Sequence, residues 1–175
     1  SDVLHYGINT GFGSLCNKVI SSGELRKLQV NLVRSHACGF GKEVDNDVVK
    51  IMMLLKIQSL SRGYSGITLT TLKRLIYFFN HDIFPIVYEQ GSLGASGDLA
   101  PLAHMSLALI GEGFVSYNNK LISAEQIHID LKIDPILLET KEGLALLNGT
   151  QFMSAYAVHA ALHLSLIHIS EPTRR

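Results

Sequence analysis

Residues 91–113 read GSLGASGDLAPLAHMSLALIGEG. The stretch opens as a loop of glycines and small residues and passes into a helix start at Asp98, the natural N-cap, with Pro101 tolerated in the first turn. The helix predicted over 99–110 is closed by Gly111. Three consecutive residues at the centre of the loop, Ala95, Ser96 and Gly97, leave the backbone bare. It can then fold back until one peptide nitrogen meets a carbonyl two residues earlier, and glycine at the attacking position puts no Cβ in the way.

Working outward, apolar spacing predicts helices on both sides. Upstream, Ser21 and Ser22 offer an N-cap for a helix over about 24–37, with Leu25, Leu28, Leu32 and Val33 on one face and Gly39 and Gly41 beyond its end. A second helix over about 45–62 aligns Val48, Ile51, Met52, Leu55 and Ser59. Met53 and Leu54 widen its stripe, so neighbours should cover most of its sides. A third, over about 70–80, gathers Leu72, Leu75, Ile76 and Phe79, and 82–90 reads as a loop around Pro85. Downstream, 115–117 and 120–122 flank Asn118-Asn119 as a hairpin, and Ser123 with Gln126 forms a capping box. A helix near 141–147 breaks at Asn148-Gly149, and a last helix starts at Thr150. The fold class is mainly α, with a small β-hairpin near 115–122.

The chain has 175 residues, 47% of them hydrophobic, which is enough for a buried core. Fifteen basic residues balance fifteen acidic ones, so no charge excess points to nucleic acid or a membrane surface. No apolar run reaches the ~20 residues of a membrane span, although IMMLLKIQSL is apolar enough to be deeply buried. Cys16 and Cys38 lack metal or redox spacing and read as free buried thiols, which fits a reducing cytoplasm. Residues 164–174, LSLIHISEPTR, resemble the translation of a sequencing-library transposon adapter. Residues 164–175 are therefore expected to be a non-native tail in which His168 has no functional weight, and the chain to be a piece cut at both ends.

The bare loop has a specific chemistry open to it. If the Gly97 nitrogen attacks the Ala95 carbonyl and two waters are lost, a five-membered ring forms and the Ser96 side chain becomes a conjugated exocyclic methylene. The product is a strong electrophile, which none of the twenty side chains supplies. A helix N-terminus at Asp98 would favour electron density added there. On composition alone, the same residues read as a glycine-rich connector before a capped helix. No Gly-Lys-Ser/Thr follows, so a phosphate loop fits poorly. Taken singly, Tyr6 reads as a packed loop tyrosine, His36 as a C-terminal histidine on the helix dipole, and Asn148 as an Asn-Gly cap. His104 reads as a satisfied core histidine.

GSLGASGDLAPLAHMSLALIGEG, YGINTGFG, LKIQSLSRGYSGI and KEGLALLNGTQ together resemble the aromatic amino acid ammonia-lyase family, and within it the histidine ammonia-lyases. The likeness runs from Leu4 to about His163 in the family's order and spacing. It implies the electrophile-bearing N-terminal part of a longer helical-bundle subunit. It also implies that Ala95, Ser96 and Gly97 cyclise to 4-methylideneimidazole-5-one (MIO), with no external cofactor and no metal. Tyr6 matches the general base that approaches the substrate β-carbon, and the glycines around it would let that loop close as a lid. His36, in RSHACG, matches the residue that contacts the substrate imidazole. Asn148 matches the amide that orients the ring or the leaving amine. Asp98 would cap its helix and could assist ring closure.

The implied reaction is conversion of L-histidine to trans-urocanate and ammonia in a cytoplasmic homotetramer, with further catalytic residues beyond position 163. The resemblance leaves open phenylalanine or tyrosine ammonia-lyases and aminomutases, which share the ring. A non-catalytic helical assembly protein that never forms it stands as a reading from another class.

Overall fold

The structure, a computed structural model, describes residue 10, residues 24–94 and residues 97–170. Helix α1 (Leu25–His36) is followed by strand β1 (Phe40–Glu43), α2 (Asn46–Leu60) and α3 (Leu69–Asn80). Two short strands, β2 (Phe84–Pro85) and β3 (Tyr88–Gln90), precede α4 (Leu99–Leu109), the hairpin β4 (Phe114–Tyr117) and β5 (Lys120–Ser123), and α5 (Ala124–Asp130). The chain continues as α6 (Glu142–Leu147) and α7 (Gln151–Ser170). The mainly α expectation is met.

Helix α4 lies at the centre because its composition leaves it nowhere else to go. Ala100, Pro101, Leu102, Ala103, Met105, Ser106, Ala108 and Leu109 are all buried, and α1, α3, α5, α6 and α7 pack around it. The one buried hydroxyl among them is satisfied within the helix, Ser106 Oγ donating to the Leu102 carbonyl at 2.6 Å. Helix α2 packs against α7. Its buried face is Val48, Val49, Met52, Met53, Lys56 and Leu60, which is rotated from the expected stripe: Ile51, Leu55 and Ser59 are half-buried and Leu54 is exposed.

The hairpin forms as expected, with Asn118 and Asn119 at φ 51° and 59° in the left-handed geometry of a tight two-residue turn. The 82–90 loop does not. β2 pairs with β4 through Phe84–Ser116 and Pro85–Val115, and β3 pairs antiparallel with β1 across an irregular register. All four β1 residues are exposed, so no apolar alternation marks it. The capping box forms by half: the Gln126 N–H donates to Ser123 Oγ, but the Gln126 side chain turns to Asp130. Cys38 is a free thiol but exposed rather than buried, because it lies in the open link after α1. Helix α7 runs unbroken through residues 164–170, with Leu164 and Leu166 exposed. Ser21, Ser22 and Cys16 lie outside the described residues.

Helix α6 is held against α1 by backbone proximity. The Gly143 N–H donates to Gln29 Oε1 at 3.0 Å, and a Cβ on Gly143 would stand 2.8 Å from the Gln29 carbonyl oxygen. Alanine at 143 would gain up to ~1 kcal/mol of helix propensity. It would also force two buried backbones apart, at a cost of about 1–3 kcal/mol. We therefore expect Gly143→Ala to lower the urea midpoint; an unchanged or raised midpoint would show that α1 and α6 yield freely.

Candidate functional site

The bare loop is anchored at both ends by close backbone packing. At its start, Gly91 has φ +130°, and a Cβ there would lie 2.9 Å from Gly39 Cα, so the loop leaves β3 pressed against the chain that follows α1. The Gly39 N–H donates to His104 Nε2 at 3.0 Å. A backbone N–H only donates, so the His104 proton sits on Nδ1 and the ring is neutral. Burial in α4 lowers its pKa, and Tyr88 packs edge-on at 5.1 Å. His104 is thus a core histidine that ties α4 to the α1–β1 link.

At the loop's other end, Gly97 sits at φ +106° with its N–H directed to the Gly94 carbonyl at 3.4 Å. A Cβ there would stand 3.1 Å from the Gly149 oxygen, 3.2 Å from Asn148 Oδ1 and 3.4 Å from the Gly149 nitrogen. Gly97 therefore packs bare against the break between α6 and α7. Asp98 locks this contact. It is fully buried, its N–H donates to the Gly149 carbonyl at 2.7 Å, and its two carboxylate oxygens accept from the Ser92 hydroxyl at 2.7 Å and the Met153 N–H at 2.9 Å. The expected side-chain cap is accordingly absent. The carboxylate turns away from the first turn of α4 because it serves the first turn of α7, where Met153 N–H would otherwise be unpaired.

Asn148 does not adopt a left-handed cap. Its backbone is extended at φ −83°, ψ 127°, and the unusual angle passes to Gly149 at φ +150°. That geometry brings Asn148 Oδ1 to Gly97 and sends its carbonyl inward, where Lys56 Nζ donates to it at 2.8 Å. Lys56 is 1% exposed, and burial lowers its pKa to about 8. Sequence reasoning passed over Lys56. Its signal was position: it falls four residues after Met52 and four before Leu60, on the buried line of an otherwise apolar helix. Glu142 was passed over too. It is fully buried at the start of α6, and its carboxylate accepts from the Thr68 and Glu139 N–H groups, bracing the helix that ends at Asn148.

His36 closes α1. Its Nδ1 lies 2.8 Å from the Leu32 carbonyl and 3.1 Å from the Ser35 hydroxyl. A carbonyl only accepts, so Nδ1 carries a proton and the ring is held with Nε2 on its far side. Three residues later Gly39 meets both Gly91 and His104, which ties the end of α1 to the start of the loop. The structure thus brings Gly97 and Asn148 into contact and links His36 to the same loop through the Gly39 junction. Tyr6, Ala95 and Ser96 lie outside the described residues.

The family model for aromatic amino acid lyases matches residues 1–169. The chain belongs to that family. It is 54% identical to histidine ammonia-lyase of Legionella pneumophila (strain Corby) over 166 residues, 95% of this chain and 32% of the relative. It is 52% identical to histidine ammonia-lyase of Geobacillus thermodenitrificans over 157 residues, 90% of this chain and 31% of that relative. Among solved structures, histidine ammonia-lyase from Trypanosoma cruzi superposes with a TM-score of 0.82 at 40% identity, over 91% of this chain and 31% of that one. Pantoea agglomerans phenylalanine aminomutase gives 0.88 at 36% identity, over 94% and 32%. The chain therefore spans about a third of the length of these aromatic amino acid lyase relatives.

The buried ammonium has a pH signature. The folded state releases the Lys56 proton near pH 8, whereas an unfolded lysine holds it to about 10.4. Between those values the unfolded chain binds more protons, so this group makes stability rise with pH. The rise is on the order of 3 kcal/mol when complete. Urea titrations of the parent and Lys56→Met at pH 7 and pH 10 should show this gain in the parent and lose it in the variant. Equal pH slopes would contradict the buried charge.

Proposed function

We propose that this chain is the electrophile-bearing N-terminal part of a histidine ammonia-lyase, which converts L-histidine to trans-urocanate and ammonia. The observation that carries the reading is the seat of Gly97 against Asn148 and Gly149, locked by the buried Asp98 carboxylate. That seat fits an MIO group made from Ala95, Ser96 and Gly97: position 97 has room for a bare backbone only, and an amide side chain faces it. MIO supplies the electrophile that turns the substrate amine into a leaving group.

The remaining work falls to ordinary side chains. Asn148 holds the ring or the departing amine through its amide. His36 contacts the substrate imidazole through the Nε2 side of its ring, which the Leu32 carbonyl holds at Nδ1. Tyr6 takes the proton from the β-carbon, which requires surroundings that favour the phenolate. As the Cα–N and Cβ–H bonds break, the Cα–Cβ double bond of urocanate forms and ammonia leaves. Identity of 54% to named histidine ammonia-lyases favours histidine over the substrates of the phenylalanine and tyrosine aminomutases, whose scaffold is equally similar. We place the whole enzyme in the cytoplasm as a homotetramer with sites shared between subunits, and we read residues 164–175 as foreign to it. Among the described residues, no helix is long and apolar enough to cross a membrane.

The chain extended to the length of its relatives should release urocanate from L-histidine, and the 175-residue chain alone should release none. In the extended enzyme, His36→Ala should raise KM for histidine about tenfold or more, since one charged or well-aligned hydrogen bond to substrate is worth that much. Only a slight effect of His36→Ala on histidine turnover would favour a phenylalanine or tyrosine enzyme, and urocanate from the short chain would overturn the need for the missing residues.

A further inference from the structure

Lys56 is an expensive residue to bury. Its ammonium lies in the middle of the apolar face of α2, between Met52 and Leu60, and among the described residues no carboxylate pairs with it. Its one described partner is the Asn148 carbonyl, at 2.8 Å. A lone buried charge of this kind destabilises a fold relative to an apolar side chain of the same length. Buried, desolvated titratable groups cluster at functional sites, although structural networks hold some as well.

What Lys56 touches shows the return. The carbonyl it grips belongs to the Asn148–Gly149 peptide, whose nitrogen and following carbonyl are the atoms against which Gly97 packs. This peptide sits where α6 has ended and α7 has not begun, so no helical hydrogen bond fixes the Asn148 carbonyl. Asn148 N–H is held by the Leu144 carbonyl, and the Gly149 carbonyl by Asp98 N–H. The Lys56 bond fixes the Asn148 carbonyl. A cation on the carbonyl also polarises the peptide and strengthens its N–H as a donor. Asp98 grips the junction from the α4 side, and Lys56 grips it from the α2 side.

We infer that Lys56 is a positioning residue for ring closure at Gly97: by holding the Asn148 carbonyl from inside the core, it sets the peptide wall against which Gly97 packs. The inference rests on the proposed MIO chemistry. Ring closure itself is balanced within the chain: the Gly97 N–H adds to the Ala95 carbonyl carbon, forming the C–N bond. Two waters then leave, one carrying the Ala95 carbonyl oxygen and one the Ser96 hydroxyl. Lys56 gives and takes no proton in the overall change.

The test uses the chain extended to its relatives' length, with Lys56→Met, Lys56→Gln and Lys56→Arg. The cyclised fraction is read as loss of two waters from the peptide spanning residues 91–113, in protein purified as folded tetramer, and stability is read by thermal melting. We expect Lys56→Met to melt at or above the parent temperature while its cyclised fraction falls severalfold, Lys56→Gln to fall less, and Lys56→Arg to restore most of it. Parent-like cyclisation in folded Lys56→Met overturns the inference, as does a lower melting temperature with cyclisation unchanged, which would make Lys56 purely structural. If Lys56→Met yields no folded tetramer, Lys56→Gln decides on the same readout. A parent that shows no loss of water overturns the proposed function instead, so the two failures are distinguishable.

Discussion

A fully buried carboxylate must find its hydrogen bonds inside the protein, and Asp98 finds them on two segments far apart in sequence. One oxygen takes the Ser92 hydroxyl and the other takes the Met153 N–H, while the Asp98 N–H reaches the Gly149 carbonyl. Losing one of these bonds leaves a buried polar group unpaired at a cost of ~1–3 kcal/mol. The start of α4 and the start of α7 are therefore fixed relative to each other by a single side chain. The loop between Gly91 and Gly97 has little apolar material of its own, and it acquires its position from this clamp and from the Gly39–Gly91 contact at its other end.

The central helix and the break at Asn148-Gly149 were legible because local rules decide them: apolar density along 99–109 and an Asn-Gly pair after a short helical run. The strands β1, β2 and β3 were not legible. They hold four, two and three residues, too few for a period to show, and β1 is exposed throughout. The stripe of α2 was only partly legible: Val48, Met52 and Met53 are buried as expected, but the buried line continues through Lys56, a residue whose charge no apolar period registers. The side-chain role of Asp98 depends on Met153, 55 residues away, so the local context of a helix start pointed to a cap instead. The meeting of Gly97 with Asn148 was likewise beyond periodicity. It entered only as an implication of the resemblance, and the structure supplies the contact itself.

The site's architecture shows a consistent division of labour. Glycines at 39, 91, 97 and 149 permit approaches that a Cβ would block or strain. Buried polar side chains, Asp98, Lys56 and Glu142, then fix the backbones that those glycines leave free. Neither set alone would serve: bare backbone without the polar grips would sample many shapes, and the grips without glycine would meet side chains in the way. Positional accuracy at a reactive segment follows from supporting contacts of this kind. The price is a core that carries buried charge in place of better-packed apolar groups.

The most direct test of this account is the electron density at residues 95–97 in a crystal structure of the chain extended to its relatives' length. The account predicts a planar five-membered ring in which the Gly97 nitrogen is bonded to the Ala95 carbonyl carbon. The Ser96 hydroxyl would be gone, and the Asn148 amide would face the ring. An open peptide with an intact Ser96 hydroxyl, seated in the same Asp98 clamp, would contradict it.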